Sequence, residues 1–112
     1  MINNKTSIPL GYLTIKVSQD IPASRFVNYS GGLASPGDKI LGVSTRSWKS
    51  GDIAAICFQG IVTVEAATVI PSPGTEIGPT TAGKATAFDK QGQSIINIDA
   101  AYNNDTTIRV KL

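Results

Sequence analysis

Six residues near the middle of the chain, Ile53-Ala54-Ala55-Ile56-Cys57-Phe58, are apolar without interruption. Successive side chains of an extended strand point to opposite faces. A strand made of this run is therefore apolar on both sides, and it is either central in a closed structure or covered by a partner chain. Its neighbours are strands as well. Lys39–Ser44 is a short apolar-rich run entered through Pro36-Gly37-Asp38, and Ser50-Gly51-Asp52 is turn chemistry, since Gly accepts positive φ and Asp bonds its own downstream backbone. In Ile61–Ala66, Val62, Val64 and Ala66 share one face, and Thr63 and Glu65 share the other with Ile61, the period of a half-buried strand. Gly60 stands between the last two runs, where a tight turn or a bulge fits.

The same period recurs towards both ends. Leu13, Ile15 and Val17 alternate with Thr14 and Lys16, which predicts a strand over Tyr12–Val17. Arg25–Tyr29 reads as a short strand closed by Ser30-Gly31-Gly32. Pro73-Gly74 suits a type II turn, with Pro presetting φ and Gly taking the positive φ. Beyond it Thr75–Gly78, Gly83–Phe88, Ser94–Asp99 and Thr106–Lys111 read as strands, with Asp89-Lys90-Gln91-Gly92 as a hairpin tip. In the last, Ile108 and Val110 point in while Arg109 and Lys111 point out. No helical periodicity exceeds a turn. The expectation is one all-β domain, a small β-barrel or β-sandwich over residues 12–112, preceded by an extended N-terminal arm over residues 1–11. A chain of 112 residues is large enough for a single core.

The arm, MINNKTSIPLG, has no periodicity, and Pro9 and Gly11 break regular elements. It is a frayed terminus, or it orders on a neighbour with Ile2, Ile8 and Leu10 as anchors. On either reading it adds little to the stability of the domain itself. Met1–Gly11 lacks the apolar region of a secretory signal, and no run has the length of a membrane span. The lone Trp48, in the Arg46–Lys49 segment, is a lid on the end of the barrel or an interface anchor.

Composition narrows the chemistry. The net charge is +2, and the basic residues are scattered rather than clustered as a nucleic-acid footprint requires. There is no His and only one Cys, so the usual zinc, Cys–His and Ser–His sites cannot be assembled and no internal disulfide forms. Cys57, on an apolar strand, reads as buried and inert. Asp52, Glu65 and Asp89 fall at strand ends or tips, the ordinary place of solvated carboxylates. Asp99 with Asn103-Asn104-Asp105 offers oxygen ligands but no EF-hand spacing. Gly83-Lys84 lacks the upstream glycines and the following Ser or Thr of a phosphate loop. No activated nucleophile or acid–base pair is visible, and the expectation is a protein that is not an enzyme and carries no metal or cofactor.

The run Gly42-Val43, Gly51-Asp52, Gly60, Val62, Val64 and Glu65-Ala66, continued by Pro73-Gly74 and Gly83-Lys84-Ala85, resembles the pattern of the small capsid decoration (cement) proteins of tailed bacteriophages. The likeness spans Pro22 to Phe88. It departs from that pattern at Ile40-Leu41 and in carrying Trp48 in the loop. The resemblance implies a protein made in the bacterial host cytoplasm that binds the exterior of the assembled capsid as a homotrimer and stabilises it. Its partners would be the major capsid protein and its own copies, with no nucleic acid and no membrane. On this reading the capsid or subunit contacts are Ile2, Ile8, Leu10, Trp48, Ile53 and Phe58. Two alternatives stand beside it. A receptor- or glycan-binding module of a virion surface or fibre would need aromatics clustered on loops. A lipoyl-type carrier would need a lysine at a hairpin tip, as Asp89-Lys90 supplies.

Overall fold

The computed structural model describes residues 8–67, 74, 76–80, 82–87, 95–99 and 107–112. These form eight strands in chain order: β1 (Ile8–Lys16), β2 (Arg25–Asn28), β3 (Ile40–Ser44), β4 (Ile53–Glu65), β5 (Ile77–Pro79), β6 (Ala85–Ala87), β7 (Ile96–Asn97) and β8 (Thr107–Lys111). The chain is all-β, with no helix among the described residues. Six strands make one antiparallel sheet, and β5 with β6 makes a second.

Everything is arranged on β4. One edge carries β1, from Lys16 opposite Ile53 to Ile8 opposite Ile61. The other edge is shared in succession: Val43 and Ser44 of β3 face Cys57 and Ile56, then β8 runs from Lys111 opposite Ile61 to Thr107 opposite Glu65. The sheet continues from β3 to β2 and from β8 to β7.

Two alternatives left open by the sequence, a turn or a bulge at Gly60 and a barrel or a sandwich, are decided by the structure. The runs Ile53–Phe58 and Ile61–Ala66 are one strand, not two strands joined by a turn. Gly60 lies inside it at φ 117 as part of a bulge. Nor do the sheets close into a barrel. The end strands β2 and β7 share no ladder, and β1 pairs only with β4, so the main sheet stays open. The two-sided apolar run had suggested closure. It is accommodated instead by a core on each face of the sheet.

The larger core holds Phe26, Val43, Cys57, Val62, Val64, Ile108 and Val110 from the main sheet, with Ile77 and Ala85 of the small sheet packed over them. The smaller core, on the opposite face, holds Val17, Ile21, Val27, Ala54 and Ile56, and Ile15, Leu33, Leu41 and Trp48 pack against it. Burying each of the fully buried Val, Ile and Phe side chains stabilises the fold by about 1.5–3 kcal/mol. The alternation expected for β1, for Val62 and Val64, and for Ile108 and Val110 is the alternation observed.

One local device lets a single strand serve both cores. In β4, Ala54 and Ile56 face the smaller core, yet Val62 and Val64, of the same parity, face the larger one. One residue must be passed over between them. The pairing of β1 with β4 passes over Phe58, going from Tyr12 opposite Cys57 to Gly11 opposite Gln59. It then passes over Leu10 on β1 before Pro9 meets Gly60, which restores the register. These paired bulges swap the faces of both strands together, as a one-residue slip does.

Candidate interaction surface

The bulges also decide what reaches solvent. Residues dropped from a ladder are free to turn outward, and Leu10 and Phe58 are 70% and 42% exposed. Ile8, at the start of β1, is 53% exposed. All three lie where β1 runs along the bulged part of β4. The ring of Phe58 lies over Gly11, which has no β-carbon to obstruct it.

Beside Phe58 is a cleft of ≈ 320 Å³ lined by Leu13, Tyr29, Leu41, Phe58, Ile95 and Leu112. Its position follows from the sheet. β3 holds β4 only at Ile56 and Cys57, and β8 takes over at Ile61, so Phe58 to Gly60 pass between two partner strands. The backbone N–H of Leu112 donates to the carbonyl of Gly60 (3.0 Å) and closes one side. Tyr29, which directly follows β2, is exposed at the rim.

Of the residues expected to make contacts, Ile8, Leu10 and Phe58 come together here. Ile53 is also exposed, but it sits opposite Lys16 at the far end of the ribbon, roughly 25 Å from Ile61 at the usual rise per residue. Trp48 stands elsewhere again. It exchanges two backbone hydrogen bonds with Ile21, each 2.8 Å, and its ring packs against the smaller core. The Arg46 guanidinium lies 4.7 Å over the ring, and the indole N–H is buried without a partner. The lid reading of Trp48 therefore holds in part, over the smaller core instead of a barrel end. Ile2 lies outside the described residues.

Residues 8–11 of the expected arm belong to β1. Ile8, Pro9 and Gly11 are paired with β4 of their own chain. Sequence reasoning also missed Tyr12 and Tyr29 as exposed aromatics. Tyr12 has the parity of Thr14 and Lys16, the outward set of β1, and that signal was present in the sequence.

The two-sided run Ile53–Phe58 had motivated a partner chain over one face. Ala54 and Ile56 are covered by the smaller core and Cys57 by the larger one, which leaves Ile53 and Phe58, with the half-buried Ala55, for a partner.

The acidic residues weighed for chemistry are engaged in structural contacts. Glu65 pairs with Arg25 at 3.2 Å and with Lys84 at 3.6 Å, and Arg25 also donates to the carbonyl of Ala82. Asp52 accepts from the backbone N–H of Lys49 in the turn before β4. Both carboxylate oxygens of Asp99 accept from Arg109, at 2.9 and 3.0 Å, and the Arg109 backbone N–H adds a third bond. This raises the guanidinium further above its ordinary pKa. No group of three or more acidic, His or Cys residues able to hold a metal occurs among the described residues. Asp89-Lys90 and Asn103-Asn104-Asp105 lie outside those residues.

The fold and this surface together describe an all-β domain whose most distinctive exposed feature is apolar. Comparison with protein-family models, with curated proteins and with solved structures finds no match.

Proposed function

We propose that this chain is a structural binding protein, a decoration protein of a tailed-bacteriophage capsid that binds the outside of the assembled shell as a trimer. Two things support the reading. One is the ordered run from Gly42-Val43 to Glu65-Ala66, with its resemblance to that family. The other, which carries most weight, is the exposure of Ile8, Leu10 and Phe58 along one short stretch of the β1–β4 pairing, where Leu10 and Phe58 are the residues left out of the ladder. Large hydrophobics that a fold projects into water together mark an interaction site more often than scattered ones do.

The mechanism is cementing by mass action. A protein that binds the assembled shell, and not its separated subunits, stabilises assembly by RT ln(1 + concentration/Kd), about 2.7 kcal/mol at a hundredfold excess over Kd. Contacts spanning neighbouring subunits add to the work of separating them. The test is the thermal release of packaged DNA from undecorated shells with and without added protein. A rise in release temperature that saturates with protein concentration supports the proposal. An unchanged release temperature at saturating protein contradicts it.

A further inference from the structure

We draw no further inference here: the strongest candidate, the apolar cleft between the ends of β3 and β8 that Leu13, Tyr29 and Phe58 line, is an unpartnered surface, and nothing in the structure shows what covers it.

Discussion

The ring of Phe58 occupies the space a side chain at Gly11 would need, since a β-carbon there would sit 2.9 Å from its Cζ and 3.0 Å from its Cε1. The two residues belong to strands paired from Lys16 opposite Ile53 to Ile8 opposite Ile61, except at Leu10 and Phe58. Leu10, beside Gly11, is left exposed.

The bulge rests on two glycines with different tolerances. At Gly60, φ is 117, and a β-carbon would meet the backbone of the neighbouring strand at Ile8 O (2.4 Å) and Leu10 N (2.7 Å). Backbone cannot swing aside, so Gly60→Ala should cost at least about 2 kcal/mol from the strained φ and the displaced strand. Gly11→Ala meets only the far end of an exposed ring that can rotate away, and should cost less than about 1 kcal/mol. Denaturant melts of the two variants check the order, and equal losses would contradict it.

Removal of Met1–Leu10 should lower the melting temperature. The sequence suggested that the arm adds little, but Ile8 and Pro9 pair with Ile61 and Gly60. Their loss opens the edge of β4 where the bulge is anchored. An unchanged melt would mean that these pairs contribute nothing measurable.

Much of this fold was legible in the sequence because burial follows alternation. Leu13, Ile15 and Val17, or Ile108 and Val110, could be placed without any tertiary information. The continuity of β4 could not. Phe58-Gln59-Gly60 breaks the alternation, and a bulge in one strand looks the same in sequence as a turn between two. Closure was equally hidden, because it depends on whether the end strands meet, and no pattern within a strand reports that. Of the surface, Ile8, Leu10 and Phe58 were found as apolar residues in odd places. Tyr29, at a strand end, was passed over because a Tyr there fits core and surface alike, and Tyr12 was passed over although its parity marks it as outward.

Cys57 is fully buried, and its thiol donates to the carbonyl of Gln59 at 3.2 Å. A thiol reagent should label the native protein slowly and the denatured protein fast. Equal rates would remove Cys57 from the larger core.

Asp38 closes the loop between β2 and β3. Its carboxylate accepts from the side-chain amide of Asn28 (3.1 Å) and from the backbone N–H of Ser35 (2.9 Å). The Asn28 bond first, and then the Ser35 bond, hold its pKa below the ordinary 3.8. A folded-state pKa below the unfolded one means that the stabilisation is fully present above the unfolded value and is lost as pH falls through the folded value. An NMR titration should place the Asp38 midpoint below 3.8, and Asn28→Ala should move it upward. A midpoint that Asn28→Ala leaves in place would show that the amide has no part in the shift.

On the proposed function, Ile8, Leu10 and Phe58 bind an assembled shell, and co-sedimentation tests this most directly. The ligand to test is then a tailed-bacteriophage capsid assembled from its major capsid protein. Leu10→Ser is the informative variant, because Leu10 is 70% exposed and its loss should change stability by no more than about 0.5 kcal/mol. A leucine buried on binding contributes about 1.5–3 kcal/mol, so the variant should bind about tenfold more weakly or worse. The parent protein should pellet with capsids, and folded Leu10→Ser should largely stay in the supernatant. A parent protein that stays in the supernatant at saturating capsid would contradict the account, and a variant that pellets as tightly as the parent would contradict the surface.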